Sequence, residues 1–278
     1  MREAVPADAP ALAAYLERHI ESSMFLLGNL KAHGIGNRDH PHGTTYLLCE
    51  TVDGITGVFG RTNGGFLMCQ MPGLSRADGH HIAEVLRGYR LLGITGVADQ
   101  VGGLLDALAL PPDVFARDRD EPLFRRDIAG LSPDATLRIP AKRDLPLLSA
   151  WYAAYLTETR SGPPEEATDR AVAAVGSDSV RLMVEKGRPV AMSAINAWAG
   201  HAVQIGGVYV PPELRGAGRG GRVVVAQLAA LRGDGVTTAI LFAASSPAAR
   251  AYERIGFVRC GTYRVALLKA PVTIGGPA

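Results

Sequence analysis

The chain has 278 residues, of which 47% are hydrophobic, and its 29 basic and 27 acidic residues nearly cancel. This length favours two domains, the apolar content excludes a largely disordered chain, and the small net charge creates no field that would attract nucleic acid or a membrane. Three widely spaced cysteines, and no apolar window of the roughly 20 residues that a membrane span requires, indicate a protein of the reducing cytoplasm.

An α/β pattern appears once in each half of the chain. Each copy opens with an apolar residue, a proline and an aspartate, Asp8 or Asp144, which can cap a helix N-terminus. A helical apolar repeat follows, then a strand hairpin with its turn at Asp53-Gly54 or Lys186-Gly187, and then a strand, a helix, a strand and a helix. We predict an α/β protein built from two copies of one unit, joined near residues 127–135. A chance likeness between common elements is the alternative.

The stretch VYVPPELRGAGRGGRVVV, residues 208–225, lies between a predicted strand and a predicted helix. Glycines let backbone N–H groups approach an anion, and the first turn of a helix leaves its N–H groups unpaired at the positive end of the helix dipole. Arg215, Arg219 and Arg222 add positive charge, and no acidic residue lies between them. We therefore predict a phosphate or pyrophosphate site here, with a solvated basic loop as the alternative.

Two other phosphate-binding patterns fit this stretch poorly. Gly216, Gly218 and Gly221 satisfy the dinucleotide spacing G-x-G-x-x-G, but PPELR separates them from the strand and no acid ends the next strand to hold a ribose. A Walker loop would require Gly-Lys-Ser/Thr, which does not follow. A nicotinamide enzyme is kept as an alternative that tight NADH binding would support.

Residues 210–220, VPPELRGAGRG, resemble the acyl-CoA signature of the GNAT N-acetyltransferases, Val-x-Pro-x-x-Arg-Gly-x-Gly-x-Gly, at every fixed position. Residues 245–257, SSPAARAYERIGF, resemble the family's second motif, Asn-x-x-Ala-x-x-x-Tyr-x-x-x-Gly-Phe, with Ser245 in place of the asparagine. The chain looks like a tandem GNAT protein with a degenerate first domain. The resemblance implies two GNAT-like domains, 1–128 without a coenzyme site and 135–278 with one, each a mixed, mostly antiparallel sheet flanked by helices.

The resemblance also implies an activity, the direct attack of an amine on the thioester of acetyl-CoA. The strand before the loop would be splayed from its neighbour and pair with the pantetheine arm, and Gly206-Gly207 suits either a bulge or a packing contact. Tyr252 would protonate the leaving thiolate, because a phenol is protonated at neutral pH. The implied contacts to coenzyme A are Val208, Tyr209, Val210, Arg215, Gly216, Ala217, Gly218, Arg219, Gly220 and Ser245. Among them, Arg219 departs from the small or apolar residue common at its position, and would either contact a phosphate or point to solvent.

The general base is the open part of this mechanism. The strand HAVQIGGVYV, residues 201–210, lacks the glutamate that family members often have there. His201 could act because its pKa lies near neutrality, Glu158 could act through a water, and Gln204 could only orient a water. A structural role is the alternative for each. The backbone N–H of Val208 would stabilise the oxyanion.

The first half resembles the same fold without the anion site. Its stretch MPGLSRADGHH, residues 71–81, spaces the glycines too widely for a continuous row of amides, and Asp78 would oppose an anion. Histidines are frequent in this half, but without a metal-binding spacing, so no metal site is expected.

From these patterns we expect one coenzyme per chain, a small-molecule or peptide amine as acceptor, and no nucleic acid or membrane partner. The chain would be a monomer or a homodimer. A non-catalytic acyl-CoA sensor or interaction module is the alternative function, and the lack of a clear base favours it.

Overall fold

The structure, a computed structural model, describes residues 1–275 of the chain. Its helices are α1 (Ala9–Arg18), α2 (Ile20–His33), α3 (Arg76–Val85), α4 (Ala98–Leu108), α5 (Leu145–Thr159), α6 (Ala167–Ala174), α7 (Arg219–Leu231) and α8 (Ser246–Arg254). Its strands are β1 (Arg2–Glu3), β2 (Thr44–Thr51), β3 (Gly54–Thr62), β4 (Phe66–Gln70), β5 (Arg90–Val97), β6 (Phe115–Asp127), β7 (Thr136–Arg138), β8 (Val180–Glu185), β9 (Arg188–Ala199), β10 (Ala202–Tyr209), β11 (Thr238–Phe242) and β12 (Val258–Thr273). Within these residues, no helix has the length and apolarity that a bilayer crossing demands.

The chain divides into two compact units. The first unit contains residues 1–121 and the described residues from 261 onward, and the second contains residues 122–260. The strand order is β1-β2-β3-β4-β5-β12 in the first unit and β6-β11-β10-β9-β8-β7 in the second. The β4–β5 and β10–β11 pairs are parallel, and the other described pairs within the units are antiparallel. The predicted fold class, mixed and mostly antiparallel sheets flanked by helices, is confirmed.

The unit boundaries differ from the predicted 1–128 and 135–278 because each unit is completed by a strand from the other half of the sequence. Strand β6 follows α4 but pairs with β11, and β12 follows α8 but pairs with β5. The two strands occupy the same place in their repeats, so the order of elements along the chain gives no sign of the exchange. The prediction assigned each strand to the half that precedes it.

A repeated salt bridge fixes the start of the first helix in each unit. Asp144 accepts hydrogen bonds of 2.6 and 2.7 Å from Arg138 and one of 2.8 Å from a backbone N–H three residues earlier. Asp8 and Arg2 repeat this arrangement in the first unit. The aspartates therefore bond backward, to the segment that enters the helix. The predicted capping of helical N–H groups by Asp8 and Asp144 is wrong, since neither side chain accepts from one.

Strand β10 is the buried centre of the second unit. On one face, Val203 and Ile205 belong to the apolar cluster that includes α7. On the opposite face, Met192 of β9 and Tyr209 of β10 pack with α5 and α6. Both faces of β10 are therefore covered near the point where its sequence changes to the glycine-arginine loop.

The strand exchange predicts where a substitution near the end of the chain will act. Leu268 is 8% exposed and packs in the core of the first unit. Leu268→Ala should lower the free energy of unfolding of that unit by about 2–5 kcal/mol, because it leaves a cavity. The exposed neighbour Lys269 gives the control, and Lys269→Ala should change stability little. Hydrogen exchange read by mass spectrometry should show faster exchange in the first unit. Faster exchange confined to residues 122–260 would contradict the strand assignment.

Candidate active site

Two parallel strands of the second unit separate part of the way along their length. β10 pairs with β11 from Ala202 to Ile205, where the last partner is Leu241. β10 continues to Tyr209 and stays paired with β9, whereas β11 ends at Phe242. We call this opening, which begins after Ile205, the fork. An end of the pairing at this point is what the splayed strand implied by the resemblance requires.

The two glycines at the fork serve different purposes. A Cβ on Gly206 would overlap the side-chain amide of Asn196 on β9, so this glycine allows close packing. Gly207 has φ +57°, in a stretch where the register with β9 shifts between Gly206 and Tyr209. This shift marks a bulge, whose left-handed residue is best supplied by glycine. Both readings of Gly206-Gly207, packing and bulge, are therefore correct, one for each residue.

The loop after β10 contains a row of backbone N–H groups without acceptors among the described residues. Gly216 and Gly218 have φ values of +85° and +70°, and α7 starts directly after them. In the described part of the chain, the N–H groups of residues 216–221 have no acceptor, and the first bonded one is that of Arg222, to Gly218. A Cβ built on Gly216 or Gly218 would meet nothing within 4 Å. We call the N–H groups of residues 216–221 the amide cradle. It lies at the open end of the fork and at the positive end of the α7 dipole.

The side chain of Arg215 anchors the loop on the side of α5. Its Nη2 donates to both carboxylate oxygens of Glu158 at 2.8 Å, and its Nε donates to the carbonyl of Val210 at 2.9 Å. The guanidinium also lies 5.8 Å from the ring centre of Tyr209. Glu158 was predicted to be a water-mediated base. The structure instead engages both of its oxygens in holding Arg215.

Two further arginines anchor the start of α7. Arg219 donates to Glu185 at 2.7 and 2.9 Å, and Arg222 donates to the other oxygen of Glu185 at 2.8 Å and to Asp134 at 3.1 Å. The hydrogen bond from Arg219 lowers the pKa of Glu185, and the bond from Arg222 adds to this effect. Arg219 therefore neither points freely to solvent nor is left free for a phosphate. The donors that remain open to an anion are those of the amide cradle.

The acidic partners of these arginines could not be predicted from the sequence. Glu158, Glu185 and Asp134 come from α5, from the β8–β9 hairpin and from the segment before β7, all far from the loop in sequence. The position of Glu185 beside the Lys186-Gly187 turn is the one local signal, because a hairpin tip can place a charge at the edge of a sheet. No sequence spacing links it to Arg219.

Tyr252 lies on α8 and packs on the core of the second unit. Its ring meets Phe257 edge-on with centroids 6.0 Å apart. Burial raises the pKa of Tyr252, and the nearby phenol of Tyr155 on α5 raises it further. Tyr252 is therefore fully protonated at neutral pH, as a proton donor must be. Ser245 caps α8 by accepting the N–H of Ala248 at 3.3 Å, and serine and asparagine are both favoured caps.

His201 lies at the end of β10 that is remote from the amide cradle. The residue is exposed in the turn that precedes the strand, where its carbonyl accepts the N–H groups of Thr237 and Thr238. β10 is 8 residues long, so its two ends are more than about 20 Å apart at about 3.3 Å per residue. Gln204, at the closed end of the fork, is only three residues away, about 10 Å at the same rise, so the base role of His201 stays a prediction.

The first unit closes the equivalent positions with its own side chains. Ser75 caps α3 by accepting the N–H of Asp78 at 3.1 Å, and Asp78 accepts the N–H of Ser75 at 3.0 Å. Gln100 of α4, which is 4% exposed, accepts the N–H of Met71 directly after β4 at 2.7 Å. The start of α3 is thus capped and carries negative charge, as predicted for Asp78.

One protein-family model matches part of the second unit. The model of the acetyltransferase (GNAT) family matches residues 146–257, from α5 to Phe257. A search of curated proteins found no match.

Several solved structures share the fold over nearly the whole chain. A Drosophila protein is 13% identical, covers 96% of this chain and 98% of its own, and gives a TM-score of 0.61. A GCN5-related N-acetyltransferase from Kribbella flavida is 15% identical, with coverage of 91% and 95% and a TM-score of 0.56. A GNAT-family acetyltransferase from Colwellia psychrerythraea is 14% identical, with coverage of 96% and 100% and a TM-score of 0.54. At these identities the likeness concerns the fold alone.

The amide cradle and the paired arginines predict different losses of coenzyme A affinity for two substitutions that change the net charge equally. Gly220→Asp adds a carboxylate inside the cradle, and its Cβ would sit 3.7 Å from Val210, an ordinary contact. It should weaken coenzyme A binding by at least about tenfold without lowering the melting temperature, since an acid suits a first helical turn. Arg222→Ala should weaken binding by less than about threefold, because Arg222 is already paired. Calorimetry measures both affinities. A larger loss in Arg222→Ala than in Gly220→Asp would contradict the cradle.

Proposed function

We propose that this protein is an N-acyltransferase that moves an acetyl group from acetyl-CoA to an amine, because residues 146–257 match the model of the acetyltransferase (GNAT) family. The observation that supports the proposal best is the amide cradle at the open end of the fork. A pyrophosphate needs several hydrogen-bond donors, and six consecutive N–H groups with no partner in the described chain are available to it.

The residues at the fork fit acetyl-CoA in a defined order. The amide cradle would hold the pyrophosphate, and the edge of β10 from Gly206 to Tyr209, which has no β11 partner, would pair with the pantetheine arm. Bound acetyl-CoA would supply a thioester carbonyl for attack by the amine. The backbone N–H of Val208, beside the bulge, is the proposed donor to the oxygen that becomes negative during the attack.

Tyr252 is the proposed proton donor to the leaving thiolate. Its raised pKa keeps the hydroxyl protonated, and no described residue hydrogen-bonds to that hydroxyl. The proton would pass from the phenol to the sulfur as the C–S bond breaks, and solvent would restore it. Tyr155 shares this environment and raises the pKa further, which favours the donor form.

A second function, a non-catalytic sensor of acyl-CoA, is supported by a specific observation. Of the base candidates, Glu158 is held by Arg215 and His201 is exposed in the turn before β10. Without a base, the chain would bind acetyl-CoA but not turn it over. Amine-dependent release of thiol separates the two functions.

The setting and the partners follow from the same proposal. The three cysteines are free thiols in the structure, which suits a reducing, cytoplasmic setting. We propose a small-molecule or peptide amine as acceptor, without a nucleic acid or membrane partner, and a monomeric or homodimeric chain.

Removal of the Tyr252 hydroxyl tests the acid. Tyr252→Phe should lower kcat by about 10²-fold or more, because a positioned general acid contributes about that much, and should leave the affinity for acetyl-CoA within about twofold. Thiol release with a panel of amines measures kcat, and calorimetry measures affinity. Tyr89→Phe, which removes a hydroxyl bonded to a backbone carbonyl in the first unit, is the control and should keep kcat. An unchanged kcat in Tyr252→Phe would exclude the role.

The closed helix start of the first unit predicts the stoichiometry. Because Ser75, Asp78 and Gln100 occupy the donors there, each chain should bind one molecule of coenzyme A. Calorimetric titration or native mass spectrometry gives the ratio directly. A ratio of two would show that the caps do not close the first unit, and the variant Gly220→Asp would then identify which of the two molecules occupies the cradle.

A further inference from the structure

Gln204 lies at the closed end of the fork. It is the residue before Ile205, where the parallel pairing of β10 with β11 ends, and its pairing partner on β11 is Ile240. The side chain is only 3% exposed, although glutamine is usually a surface residue. It faces away from the cluster that holds Val203 and Ile205 against α7, because neighbouring residues of a strand alternate between faces.

One of the two polar atoms of this side chain has no partner. Its Nε2 donates to the carbonyl of Ile205 at 2.8 Å. Its Oε1 is buried and accepts no hydrogen bond from any described residue. The amide cannot simply be reversed, because Oε1 would then face the Ile205 carbonyl, which is also an acceptor. The hydrogen bond of Nε2 therefore fixes the orientation of the side-chain amide, and its Oε1 is left without a hydrogen-bond donor.

Another buried glutamine of the same unit shows how this fold treats a purely structural amide. Gln227 of α7 is 2% exposed, and both of its polar atoms are used. Its Oε1 accepts the hydroxyl of Ser193, and its Nε2 donates to the carbonyl of Ser179 at 2.9 Å. Buried polar groups are normally satisfied in this way, so the open acceptor at the fork points to a group that binds there.

The fork gives that group a position along the bound donor. The amide cradle lies at the open end and Gln204 at the closed end, with Gly206 to Val210 between them. A donor that lies with its pyrophosphate in the cradle and its arm along β10 would have its reactive end on the stretch between Val208 and Gln204. The N–H group brought to that end in the reaction is the amine of the acceptor.

We propose that Gln204 is an acceptor-binding residue, whose Oε1 accepts an N–H of the amine that attacks the thioester. The inference rests on the proposed acyl transfer and adds a recognition site for the second substrate. Gln204 holds the amine by a hydrogen bond and takes no proton from it, because an amide carbonyl is not a base at neutral pH. The pantetheine arm also contains amide N–H groups, so the test separates the two sources of the donor.

The test compares three variants of the full-length chain. Gln204→Met removes the acceptor and keeps the length of the side chain. Gln204→Glu can restore both hydrogen bonds, because burial favours a protonated carboxyl, whose O–H can donate to Ile205 while its carbonyl stays open. Gln227→Met is the control for the loss of a buried glutamine with a purely structural role.

The measurements are the KM for ethylamine at saturating acetyl-CoA, the calorimetric Kd for acetyl-CoA, and the melting temperature. Gln204→Met should raise the KM at least about tenfold, the loss expected for a hydrogen bond to a charged or polarised donor, with the Kd within about twofold. Its melting temperature should fall less than that of Gln227→Met, because it loses one hydrogen bond, to Ile205, instead of two. Gln204→Glu should have a KM for ethylamine close to that of the wild-type chain. Gln227→Met should lower the melting temperature and leave the KM unchanged.

Three results would overturn the inference. An unchanged KM in Gln204→Met would remove the role altogether. A weaker Kd with an unchanged KM would assign the N–H donor to the pantetheine arm instead of the amine. A wild-type chain that binds acetyl-CoA but releases no thiol with ethylamine or any other amine would refute both this inference and the proposed transfer, whereas loss of the KM effect alone would leave the transfer intact.

Discussion

The loss of parallel pairing between β10 and β11 is the constraint on which the second unit depends. Backbone groups deprived of a strand partner inside a protein destabilise it unless something else satisfies them. The fork persists because β9 still holds β10, because Gly207 takes up the bulge, and because helices cover both faces of the strand. A flat, fully paired sheet would leave no backbone edge for a ligand, and the loop into α7 would end at a closed surface.

Salt bridges hold the glycine-arginine loop in place without using the backbone N–H groups that would bind a ligand. Carboxylates from three distant segments hold Arg215, Arg219 and Arg222, so both ends of the loop are fixed while the N–H groups between them stay open. The first unit has the same order of elements but the opposite outcome. There Ser75 and Asp78 bond to each other across the start of α3. The difference between an open and a closed helix start is thus a matter of a few side chains on one fold.

The features that could be predicted from the sequence are those set by local backbone chemistry. The hairpins at Asp53-Gly54 and Lys186-Gly187, the repeat of elements and the cradle follow from turn residues and periodicity. The partners of Arg215 could not be predicted, because Glu158 reaches it only through the fold. The exchange of β6 and β12 between the units could not be predicted either, because the two strands occupy the same place in the order of elements of the two halves.

The exchanged strands also reverse the order in which the two units can be finished during synthesis. The second unit is complete once residue 260 has emerged, whereas β5 waits for Tyr263 and the residues after it. The part of the chain made first is therefore completed last, and its pairing with β12 joins residues distant in sequence, which slows folding. Until then β5 is an open sheet edge, able to pair with another nascent copy. The glycines of this strand, Gly93 and Gly96, lower its propensity for such pairing.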